Sequence, residues 1–187
     1  MAVLVDIIGA AIIVGILLLA IFGLNVNISQ ANSNKTFSLI TQTNAVTIAQ
    51  MMESDLVKIG YRAPAPAILT AREDSIRFSA DLEDDGIVHT VVYAIGPASM
   101  LGSTRNPRDR MLYRTDNGAT IAANLGLTDL SFTYFDNAGD TTVSPTLVNS
   151  INVKFRIESS EPVDTSYASV FWEKRIYPRN LPTNLNN

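Results

Sequence analysis

Few residues in this chain are placed to do chemistry, and most of them are acids. Asp6 is the only ionisable residue in the apolar run 3–24, VLVDIIGAAIIVGILLLAIFGL. An ion in hydrocarbon is costly unless a partner or an aqueous edge receives it. Asp6 lies about one turn from the helix start, so one reading lets it reach the headgroup region of a bilayer. The other has it wait for a cation from another copy of the chain, and a free α-amino group is the nearest candidate type. No Lys or Arg precedes Lys35, so no local side chain can serve.

A second acidic group is Asp81, Glu83 and Asp85, followed by Gly86, in SADLEDDGIV. Acids at alternate positions and then a glycine open a calcium loop, but the twelfth position is Val92, which brings no bidentate carboxylate. An acidic hairpin turn is the default reading, with calcium on Asp81, Glu83 and Asp85 as the weaker one; otherwise no cofactor or metal is expected. FDNAGD at 135–140 reads as a turn. His89 is the only histidine and the chain has no cysteine, so thiolate sites and disulfides are excluded and a zinc site is not expected. No G-x-S-x-G elbow, P-loop or dinucleotide fingerprint is present, and no enzyme is expected. Tyr134, Phe135, Phe171 and Trp172 are expected to fill a core, and Glu173, Lys174 and Arg175 to form a solvated edge. Asn27 and Asn34 begin N-x-S/T triplets, a short pattern that recurs by chance.

The secondary structure that carries these residues can be read from the hydropathy pattern. At about 1.5 Å per residue, the roughly 20 apolar residues of 3–24 cross a hydrocarbon core of about 30 Å as a helix. A secretory signal would show a basic first segment and a shorter apolar core, so a retained anchor is expected. Residues 25–44 turn rich in Asn, Ser, Thr and Gln, which favour helix weakly. Yet no Pro occurs before Pro64, and helix-spaced apolar residues return at Val46, Ala49, Met52, Leu56 and Ile59. The pattern predicts one long helix over about 3–59, loosened near 15–34, with Gly60 as its stop and Pro64 and Pro66 beyond.

The 187 residues carry a net charge of −4 with no basic stripe, which argues against nucleic acid as a partner. Strands are expected at 75–80, 87–95, 111–115, 128–135, 151–157 and 169–177, from β-branched and aromatic enrichment. Asp85-Gly86, Asn117-Gly118, 136–139 and Ser144-Pro145 supply the turns. The fold class is therefore α+β: a long N-terminal hydrophobic helix over 1–60 packed against a C-terminal antiparallel β-sheet domain over 61–177. Residues 98–110 and 159–167 read as loops, and the tail 178–187 is expected to hang free or lie on a neighbour.

This order, with MMESDLVKIGYR at the helix end, then SIRFSADLEDDGIVHTVVYAIG, MLYRT and LTDLSFTYFDNAGD, resembles the type IV pilin superfamily. It is most similar to the larger minor pilins and the type II secretion pseudopilins. The resemblance runs from residue 3 to about 157. It implies that the acid at the fifth mature position meets the N-terminal amine of the adjacent subunit. If Met1 is removed, Ala2 becomes the first residue and Asp6 the fifth. Asp6 stands where the family usually carries Glu, and the family's basic leader with its Gly is not among these residues. The resemblance also implies an inner-membrane assembly machinery and a prepilin peptidase as partners.

The expectation is a structural subunit of an extracellular, pilus-like filament. The subunit is anchored in the membrane before assembly and then polymerises with other copies of itself through the helix. Gly9, Gly15 and Gly23, with Ala10, Ala11 and Ala20, would let neighbouring helices approach closely. The alternative is a single-span membrane-anchored protein whose extracytoplasmic β domain binds a ligand.

Overall fold

In the computed structural model, residues 2–101, 104–162 and 165–181 are described. Met1, the side chain of Ala2 and residues 182–187 of the expected tail lie outside them, as do 102–103 and 163–164 of the expected loops. Helix α1 runs without a break over Ala2–Val57, so the expected loosening near 15–34 is not found. In the Thr-rich stretch, Thr36, Thr41, Thr43 and Thr47 each donate their hydroxyl to the carbonyl four residues back, at 2.8–2.9 Å. Hydroxyls that could compete with the helix are thereby absorbed by it. Gly60 ends it at φ 82°, with its N–H on Ser79 O at 3.0 Å. That left-handed conformation costs glycine nothing.

Eight strands come after the helix, β1 (Ile68–Ala71), β2 (Ser75–Ala80), β3 (His89–Ile95), β4 (Leu112–Asp116), β5 (Ala119–Ala123), β6 (Leu127–Phe135), β7 (Ser150–Glu158) and β8 (Ser169–Ile176). The fold is α+β, but the strands form two antiparallel meanders in place of one sheet. The first is β1-β2-β3-β4-β5 and the second β6-β7-β8. They join where the β1–β2 turn reaches β6: Phe132 N–H donates to Glu73 O at 2.8 Å, and the Tyr134 hydroxyl lies 2.9 Å from Arg72 O. A turn satisfied by a second sheet in this way leaves no signature in the local sequence.

Two strands go beyond the expected set. β1 is four residues long and comes after Pro64 and Pro66, and β5 reads ATIAA, with neither alternation nor bulk. β5 exists because Asn117 (φ 46°) and Gly118 (φ 90°) form the two-residue turn that folds it back on β4. β3 begins two residues later than expected, because the Asp85 carboxylate accepts the Ile87 N–H at 2.8 Å and holds that end in the turn.

One core joins these parts. From the helix come Ala45, Ile48, Ala49, Met52 and Leu56, which recur every three or four residues. They meet Phe78 and Tyr93 of the first sheet and Phe132, Val153 and Phe155 of the second. The tail corrects an expectation: residues 178–181 lie on the chain's own helix end. Arg179 N–H reaches Val57 O at 3.4 Å, and the apolar Leu181 packs on the core.

Candidate functional site

The helix divides into two halves with opposite fates. Its buried positions begin at Thr41 and continue through Ala45, Ile48, Ala49, Met52 and Leu56. Among the described residues before Phe37 none is buried and the large apolar side chains stand open; Leu19, for example, is 73% exposed. At about 1.5 Å per residue, residues 2–36 extend roughly 50 Å from the domain. The described residues contain this one helix long and apolar enough to cross a membrane, and nothing among them covers that stretch. Apolar surface on this scale is unfavourable in water, so it calls for hydrocarbon or for other apolar helices.

The residues expected to act in assembly lie on this open half. Asp6 is exposed, and among the described residues no side chain meets its carboxylate. A Cβ added at Gly9, Gly15 or Gly23 would meet nothing within 4 Å, so the chain's own fold does not require these glycines. At about 100° per residue, Gly9 and Gly23 fall within about 40° of each other, while Gly15 faces about 120° away from Gly9. The small residues therefore open two sides of the helix, an arrangement suited to several neighbours.

The acidic loop after β2 builds a turn and does not assemble as a cation site. Asp81 is fully buried, and its oxygens accept N–H groups from Asp85 at 3.2 Å and Gly86 at 2.9 Å, with Arg62 Nη1 at 3.2 Å. Burial alone would push the carboxyl up, but these donors outweigh it and hold it below the ordinary carboxylate range. Arg62 also pairs with Asp84 at 2.9 Å, Asp85 holds the Ile87 N–H, and Glu83 is exposed. Asp81, Glu83 and Asp85 are thus not brought round one point, and no group of three His, Asp or Glu side chains poised for a metal occurs among the described residues.

Sequence reasoning missed a polar clasp between helix and first sheet. Asp55 in the last turns of α1 accepts the Tyr93 hydroxyl at 2.6 Å and Arg114 Nε at 2.9 Å. Arg114 continues to Asp116 at 3.4 Å, and Asp116 meets His89 Nδ1 at 2.7 Å. Burial pushes the Tyr93 hydroxyl far up and the Asp55 charge acts the same way, so tyrosine stays a donor. The hydrogen bond to Asp116 raises His89. The five residues are dispersed along the sequence, and their only sign in it is an acid in an otherwise apolar helix face.

The expected core aromatics divide. Tyr134 is buried and Trp172 stacks on Phe155 at 4.9 Å, but Phe171 is exposed and Phe135 lies under the Arg175 guanidinium at 3.9 Å. Alternation along the edge strand β8 turns Phe171 outward. On that edge Lys174 bonds Glu53 of the helix, and Glu173 accepts the Asn152 amide at 2.8 Å, so the charged run also ties strand to helix and strand to strand. The chain matches no family model and no curated protein sequence.

Proposed function

We propose that the chain is the structural subunit of a pilus-like filament, held in a membrane before assembly and polymerised through residues 2–36 of α1. The observation that carries this reading is that α1 is docked on its domain only from residues 37–41 onward, while the apolar run 3–24, set off from the domain by the polar stretch 25–36, has no partner among the described residues. Packing copies of 3–24 together would bury surface worth about 25 cal/mol per Å², which offsets withdrawal from lipid. The β domain, carried outward by the docked half, forms the filament's outer layer at the cell surface. Asp6 receives the terminal amine of the incoming subunit, the pairing that the resemblance implies. An assembly machinery and a leader peptidase belong to the same reading.

The test is electron microscopy of material sheared from producing cells, with intact-mass analysis of the subunit. Filaments whose subunit begins at Ala2 support the proposal, and Asp6→Ala should leave the β domain folded while cutting filament yield. A folded, membrane-bound and unpolymerised wild type would instead favour a single-span protein with a ligand-binding domain. Normal filament yield from Asp6→Ala would remove that carboxylate from the mechanism.

A further inference from the structure

The clasp between α1 and the first sheet holds an unequal set of charges. Asp55 accepts from Arg114 Nε at 2.9 Å, and Asp116 lies 3.4 Å from Arg114 Nη1. Two carboxylates therefore share one guanidinium, which leaves one negative charge in excess. The Tyr93 hydroxyl also donates to Asp55, at 2.6 Å, but it brings no charge. Among the described residues, the one further group within ion-pair reach of either carboxylate that can carry positive charge is His89, whose Nδ1 stands 2.7 Å from Asp116 Oδ1.

His89 is the only histidine of the chain, and histidine is the side chain that ordinarily changes charge between pH 5 and 8. It keeps 17% of its side-chain surface, so protons reach it from water. Its surroundings favour the charged ring. On β4 it faces Asp116, with Arg114 beyond, and in the loop before β3 the carboxylates of Glu83 and Asp85 act on it. Strand β2 sets only Ala80 opposite it, and α1 reaches it as Asp55 through Arg114. The hydrogen bond to Asp116 is the largest influence; with the carboxylate charges it outweighs burial and raises the imidazole above its ordinary value.

We propose that His89 is a protonation-controlled fastener of the clasp: charged, it balances the second carboxylate and holds the end of α1 on the first sheet, and neutral, it leaves that carboxylate in excess and loosens the hold. The direction follows from linkage. A histidine raised in the folded state stabilises the fold in full below its unfolded value, and the contribution is lost as pH rises through the folded value. The device thus tightens the domain in mild acid and relaxes it in mild alkali, whether or not the chain is polymerised.

The experiment uses the full chain in a non-ionic detergent from about pH 5.5 to 9, a window that spans the imidazole and clears ordinary carboxylates. Thermal unfolding is followed by Trp172 fluorescence, and the single histidine resonance is titrated by NMR. Wild-type Tm should fall as pH rises through the histidine midpoint. Its advantage over His89→Asn, which offers Asp116 a donor without a charge, should shrink across the same window. Asp116→Asn removes the partner and Asp55→Asn frees Arg114 to serve Asp116, so each should lower the histidine midpoint, the first by more. The Asp55 arm separates a shared clasp from an isolated histidine–carboxylate pair, and the wild-type titration keeps the test open if a variant fails to fold. A wild-type midpoint at or below 6.5, parallel Tm-against-pH curves for wild type and His89→Asn, or an unmoved midpoint in Asp55→Asn would each overturn the proposal.

Discussion

Replacing Asp55 by Ala unties the end of α1 from the first sheet. Its carboxylate accepts from Tyr93, whose ring is fully buried, and from Arg114. Removing one partner of a buried ion pair costs about 3–5 kcal/mol, and a buried hydroxyl left without its acceptor costs about 1–3 kcal/mol. Two features reduce this. Asp55 and Arg114 keep 14% and 19% of their side-chain surface, so water reaches them, and Arg114 retains Asp116. The expected loss is therefore about 2–4 kcal/mol, which for a unit of this size is a fall of roughly 6–15 °C in Tm. Trp172, the only tryptophan, lies on β8 of the other sheet, so its fluorescence reports global unfolding, and far-UV circular dichroism tracks the helix. Tyr93→Phe completes a double-mutant cycle with Asp55→Ala, and the coupling should exceed about 1 kcal/mol. A loss below about 0.5 kcal/mol in Asp55→Ala, or additive single variants, would refute the idea that these groups act as one clasp.

Ile48→Ala, at a fully buried point of the docked stripe, should cost about 2–5 kcal/mol in thermal unfolding, whereas Leu19→Ala on the open half should leave Tm unchanged and lower filament yield. Equal Tm losses at the two sites would contradict the division of the helix at residues 37–41. The Asp81 carboxyl titrates below its unfolded value, so its contribution is present above about pH 4 and is lost as pH falls through the folded-state value. Asp81→Asn should accordingly flatten the acid limb of a stability-against-pH curve, and an unchanged slope would rule out Asp81 as its source.

How far the site is legible in advance depends on the range of the forces involved. The docked stripe is half legible. Spacing alone picks out Ala49, Met52, Leu56 and Ile59 correctly but also Val46, which is 53% exposed, and it misses Thr41, Ala45 and Ile48 in a polar composition whose hydroxyls turn back into the helix. Asn117-Gly118 is legible as a turn because its backbone needs positive φ, yet the strand it creates, ATIAA, is not. The Asp55 clasp leaves almost no trace, since Asp55, Tyr93 and Arg114 come from a helix and two strands far apart in sequence.

The apolar helix, its length, its glycine stop and the antiparallel, β-rich character of the domain beyond it are all written in the sequence. Each depends on hydropathy, backbone freedom or the absence of proline within a few turns of chain. Tertiary contacts alone divide the strands into two sheets, consume Asp81 within its own loop, and clasp Asp55 between Tyr93 and Arg114. Those outcomes depend on which distant groups a buried charge meets. A carboxylate's fate is set by its desolvation and its donors, and both are properties of the folded chain.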